Sequence, residues 1–62
     1  MRPKEAILKF LKENGGEYSI SELSRKTKIS YPTTLKWVEV LASENKIVVK
    51  EYRSIRLVSF RD

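Results

Sequence analysis

A chain of 62 residues with a net charge of +5 and a pI near 9.8 is expected to be one small basic domain, 1–62, drawn to polyanions such as nucleic acid. It has no cysteine and no histidine, which excludes disulfides, thiolate metal sites, a zinc finger and the usual general base near neutral pH. No apolar run exceeds three residues, as in Ile47 to Val49, so no membrane span or signal core is present and a cytoplasmic location is expected.

Pro3 suits the first turn of a helix, and Ala6, Ile7, Phe10 and Leu11 then keep helical spacing, with Leu8 widening the stripe. Asn14-Gly15-Gly16 tolerates positive φ and should end it. A short extended segment, Glu17 to Ile20, follows. Ser21 is the expected N-cap of a second helix anchored by Leu23, with Glu22 in its first turn and Arg25, Lys26 and Lys28 toward its C-terminal end. Thr27 to Ser30 is a tight connection holding Ile29.

The stretch from Ile29 to Ile47 organises the rest. Ser30 is placed to cap a third helix, Pro32 fits its first turn, and it should run to about Asn45. Steps of ~100° put Thr34, Val38 and Leu41 on one face and Pro32, Thr33, Lys36 and Val40 on another. The period then changes to two. Ile47 to Tyr52 and Ile55 to Phe60 read as strands joined at Arg53-Ser54. The fold class predicted is α+β: three helices, a short strand and a C-terminal β-hairpin. Abundant Lys, Glu, Ile and Val with no glutamine is compatible with a thermophile.

This order resembles the winged helix-turn-helix DNA-binding domains of small archaeal and bacterial transcriptional regulators. The residues carrying the resemblance are Ile20-Ser21-Glu22-Leu23, Ile29-Ser30 with Thr33, and then Val38, Leu41, Asn45 and Ile47. In many members of that family glycine stands at the position of Asn45, and a small aliphatic residue at that of Thr34. The resemblance implies double-stranded DNA as partner, with the third helix in the major groove and the hairpin wing along the backbone or minor groove. On that mapping Tyr31, Pro32, Thr33 and Lys36 face base edges and Ser30 offers a helix N-terminus to a phosphate. Lys26, Lys28, Lys50, Arg53 and Arg56 would neutralise phosphates.

Each residue also has a plainer reading. Lys36 serves as an ordinary solvated lysine, Lys26 and Lys28 complete a helix end, and Arg53 and Arg56 keep an edge hairpin from pairing with other chains. The third helix is electrically neutral over residues 31–46, where Glu39 and Glu44 offset Lys36 and Lys46. Trp37 stands at the boundary of the apolar face, where packing on the core or the wing is the plainer reading, and Val40 lies well outside it. With the neutrality of the helix, an exposed Trp37 beside Val40 leaves open a protein-docking use or a homodimer. Tyr18, Tyr31, Tyr52 and Phe60 suggest base stacking, but their irregular spacing favours packing. No Gly-rich phosphate loop or partnered nucleophile is present, and neither an enzyme, a metal nor a cofactor is expected.

Overall fold

The computed structural model describes residues 2–62. Helix α1 spans Pro3–Asn14 and strand β1 Tyr18–Ser19. Helices α2, Ile20–Thr27, and α3, Tyr31–Ser43, follow. Strands β2, Ile47–Tyr52, and β3, Ile55–Phe60, close the chain. The sheet has the order β1-β3-β2, and both pairings are antiparallel.

Each helix stops where a residue takes the left-handed conformation. Gly15, at φ 66°, ends α1 by donating its N–H to the Leu11 carbonyl. Helices α2 and α3 end alike, at Lys28 (φ 59°) and Asn45 (φ 61°). In each, the left-handed residue donates three residues back, to Arg25 or Ala42, and its successor donates five back, Ile29 to Ser24 or Lys46 to Leu41. That pair of bonds is the Schellman closure. Asn45 therefore terminates α3 as expected, although the helix proper ends at Ser43, two residues earlier.

The start of α2 differs from expectation. The cap is Ser19, not Ser21. The Ser19 hydroxyl accepts from the Glu22 N–H, and the Glu22 carboxylate accepts from the Ser19 N–H, each at 3.2 Å. A capping box needs Glu or Gln three residues after the cap; Glu22 meets that requirement for Ser19, whereas Ser24 cannot for Ser21. The earlier start also carries Ile20 into the core.

The two-residue loop Arg53-Ser54 sets the hairpin register by pairing Tyr52 with Ile55. Ile47 then lies opposite Phe60, and Val49 opposite Val58. Opposed residues share a face, so burying Ile47 takes Val58 and Phe60 inward and sends Val48, Tyr52, Ile55 and Leu57 outward. The core that results is Ile7, Leu11, Ile20, Leu23, Val38, Leu41, Ile47 and Val58. Thr34 is buried with them, its hydroxyl directed at the Ile29 carbonyl (3.4 Å). A buried polar residue is thereby given an acceptor. Tyr18 adds an edge-on contact with Phe10, ring centroids 5.2 Å apart, which ties β1 to α1.

Candidate nucleic-acid interface

The connection between α2 and α3 is held by side chains as well as by its backbone closure. The Ser24 hydroxyl donates to the Ile29 carbonyl and the Thr27 hydroxyl to the Leu23 carbonyl. The Ser24 bond spans the corner and sets how α3 leaves α2, and hence where Tyr31, Pro32 and Thr33 project; the Thr27 bond lies within the last turn of α2. Tyr31 and Pro32 are exposed, and Thr33 is half-buried.

Ser30 occupies the N-cap position of α3 but makes no capping bond; its hydroxyl donates to the Thr33 hydroxyl at 2.9 Å. The expected cap is thus absent. Two adjacent hydroxyls satisfy each other, and the first-turn N–H groups of α3 keep donor capacity that α2 has already spent on its own side chains.

The cations fall into two groups. Lys26 and Lys28 are exposed at the end of α2, and Arg53 and Arg56 are exposed on the wing. Arg53 lies 5.6 Å from the Tyr52 ring centroid, and Arg56 borders a groove of about 510 Å³ shared by the wing, the start of α2 and the start of α3. Lys50 is drawn aside by Glu17, at 3.7 Å. Lys36 is exposed but leans over Trp37, its ammonium 4.9 Å from the ring centroid. Glu17 is too far along the chain from Lys50 to be visible in the local pattern, whereas Trp37 is the next residue after Lys36.

Trp37 itself is half-buried against the core and lines a cleft of about 600 Å³ with Pro3 and Leu8 of α1. Val40 is half-buried outside the core cluster. Core packing of Trp37 is the reading the sequence favoured over an exposed patch shared with Val40, and α1 lines the cleft beside the indole.

Glu44 sits at the far end of α3, where its carboxylate meets Lys4 at 2.8 Å and Lys46 at 3.9 Å. The Lys4 hydrogen bond holds its pKa below the ordinary 4.5; desolvation opposes, and the charges of Lys4 and Lys46 reinforce the lowering. A depressed carboxylate stabilises the fold above its ordinary pKa and loses that contribution as pH falls through the lowered value. The pair is a third exposed, so the contribution is small. Its larger consequence is that a carboxylate which would repel phosphate is already neutralised.

Lys28 and Arg53 (φ 61°) are left-handed, a conformation that costs an L-residue with a Cβ roughly 1–2 kcal/mol. Glycine would relieve that strain at either position, yet a long cation occupies both. Lys28→Gly and Arg53→Gly are expected to leave stability unchanged or raise it by up to about 1 kcal/mol, while each weakens DNA binding. Urea melts and duplex titrations of the same preparations check both halves; a loss of stability in either variant would contradict the strain argument.

The groove by Arg56 was not foreseen as a unit, because its walls come from three separate segments. Ser19, Ile20, Ser21, Leu35, Ser54 and Ile55 line it with Tyr31 and Arg56. Among the described residues there is no cluster of three or more acidic, His or Cys side chains able to hold a metal. Among them, too, no helix is long and apolar enough to cross a membrane.

Three helices, the tight α2–α3 connection and a hairpin wing on a three-stranded sheet define a winged helix-turn-helix domain. A family model for winged helix-turn-helix DNA-binding proteins matches residues 4–48. The chain belongs to that family. No curated protein sequence matches it.

Among solved structures it is similar to a chain of HOP2, from work on that protein's DNA-recognition and protein-interaction domains: TM-score 0.87, 22% identity, covering 97% of this chain and 100% of that one. It is similar also to protein BT2368 of Bacteroides thetaiotaomicron, with TM-score 0.81, 31% identity, and 94% and 70% coverage. The Zα domain of PKZ from Carassius auratus, solved in complex with Z-DNA, superposes with TM-score 0.82 at 14% identity, covering 95% of this chain and 92% of that domain.

Proposed function

We propose that residues 1–62 act as one double-stranded DNA-binding unit of a transcriptional regulator or an architectural DNA protein, working in the cytoplasm without cofactor or catalysis. Helix α3 enters the major groove with Tyr31, Pro32, Thr33 and Lys36 toward base edges, and the uncapped N-terminus at Ser30 faces a phosphate. Lys26, Lys28, Arg53 and Arg56 contact the backbone on either side, and Lys50 joins them by exchanging Glu17 for phosphate.

The observation that carries this reading is the pair of strained cations, Lys28 at the helix-turn-helix corner and Arg53 at the wing tip. Both sit at tips flanking the exposed start of α3, and neither has an ion-pair partner among the described residues. With one mid-helix cation on α3, backbone contacts outweigh base contacts, so binding is strong and reads sequence weakly.

Amide chemical-shift mapping with a short duplex at low salt tests the surface. Perturbations are expected at Lys28, Tyr31, Thr33, Arg53 and Arg56, and not at Lys4, Glu44 or Lys46. Absence of binding would reject the reading. The second reading, a protein-docking domain, is favoured by one feature, the cleft beside Trp37 and Leu8. A partner protein that shifts Trp37 and Leu8, with DNA shifting nothing, would establish it instead.

A further inference from the structure

Three large apolar side chains stand in solvent among the described residues: Tyr31 at 49% exposure, Tyr52 at 60% and Ile55 at 51%. They are neighbours. Tyr31 and Ile55 line the same groove together with Leu35, and Tyr52 is the cross-strand partner of Ile55. At about 510 Å³ the groove falls inside the roughly 300–1,000 Å³ span of ligand sites. Apart from Ile20, the rest of its wall is hydroxyl and cation: Ser19, Ser21, Ser54 and Arg56, with no carboxylate. The cleft at Trp37 differs, since Glu5 lines it and its Lys4 is bonded to Glu44.

Phosphate contact explains only half of this composition. Arginine and serine suit a phosphate, but a tyrosine ring, a leucine and an isoleucine gain nothing from one. Aromatic and aliphatic faces beside a cation are the surface on which a nucleobase stacks. In an intact duplex each base keeps its faces against its neighbours, so a protein reaches a base face only where that base has left the stack.

We propose that this groove accepts one unstacked nucleotide, its base against Tyr31, Leu35 and Ile55 and its phosphate at Arg56 and the serine hydroxyls. The preferred ligand is then a duplex carrying an extrahelical or unpaired base. The proposal rests on the DNA-binding reading and narrows its substrate class. Arg53, over the Tyr52 ring, stiffens the wing tip beside the entrance and offers a second cation to the backbone of the displaced strand.

The test uses two duplexes of one sequence, one fully paired and one with a single extrahelical 2-aminopurine, titrated in the same buffer. The bulged duplex is expected to bind about 10- to 100-fold tighter, the range that one base-on-aromatic stack supplies. Its 2-aminopurine emission should be quenched on binding. Tyr31→Ala should bring the ratio of the two affinities close to one, whatever it does to each alone, and Tyr31→Phe should retain it. Equal affinities with unquenched emission, while the paired duplex still binds, would overturn the groove proposal and leave the DNA reading standing. Failure to bind either duplex would overturn both.

Discussion

Leu41→Ala is expected to remove roughly half of the domain's stability at 25 °C. Leu41 is fully buried on the inner face of α3, and its carbonyl accepts the bond from Lys46 that closes that helix. Truncating a buried leucine to alanine costs roughly 2–5 kcal/mol, the larger values where neighbours cannot collapse into the space. A domain of 62 residues holds about 3–9 kcal/mol in total, at roughly 0.05–0.15 kcal/mol per residue. One side chain therefore accounts for about half of the margin, because a chain this small has few others to share the load. Urea denaturation followed by Trp37 fluorescence measures it. Ile7→Val, which removes one buried methylene, should cost only about 0.5–1.5 kcal/mol. Similar midpoints for Leu41→Ala and the unmodified chain would mean that the core lies elsewhere.

Duplex affinity is expected to fall about 10²- to 10³-fold as salt rises from about 50 to about 200 mM. Each phosphate neutralised by a lysine or arginine releases counterions and adds about 0.9 to the slope of log affinity against log salt. Lys26, Lys28, Lys50, Arg53 and Arg56 are the cations proposed to contact phosphate, giving a slope of about 4.5 in magnitude. Arg53→Ala should flatten it by about 0.9, and so should Lys28→Ala. Lys50→Ala should do less at low salt, since its ammonium already has Glu17 nearby. Lys4→Ala lies at the opposite end of α3, in its pair with Glu44, and should leave the slope unaltered. A flat salt profile would remove the electrostatic basis of the proposed interface.

Much of this architecture could be read from local pattern. The apolar spacing in α1 and α3 marks both helices, Thr34, Val38 and Leu41 are the inward row of α3, and the Arg53-Ser54 loop joins two strands of alternating character. What local pattern could not supply is pairing over distance. Tyr18 and Ser19 become a strand only because Val58 and Leu57 lie alongside them, and two residues have no period of their own. The inward set of β3 was ambiguous for a related reason: Ile55-Leu57-Ser59 is no less apolar than Arg56-Val58-Phe60. Register from the two-residue loop decides between them.

The positions of the cations assigned to the proposed interface were legible to the same extent. Its cations are where chain order put them, at the ends of α2 and of the hairpin. Non-local contacts then sort two of them, Lys50 toward Glu17 and Arg56 into the groove, while Lys36 lies over its own chain neighbour Trp37. Ser30 shows the limit of a cap motif read alone, since Thr33 competes for its hydroxyl. Ser19 shows the opposite, because the Ser-to-Glu spacing that marks its capping box is in the chain for anyone who aligns on Glu22 rather than on the first apolar residue of the helix.

Ser19 does two jobs at once. It is the last residue of β1, paired with Leu57 in the middle strand, and it is the residue that closes the front of α2. No slack separates the sheet from the helix-turn-helix, so the base of the hairpin and the first turn of α2 must open together. Amide protons at Glu22 and Val58 should accordingly exchange with deuterated solvent at matched rates, while those at Arg53 and Ser54, beyond the last β1 pairing, exchange sooner. A load on the tip thus flexes the outer hairpin first and reaches the helices only when it is large enough to strain this shared joint.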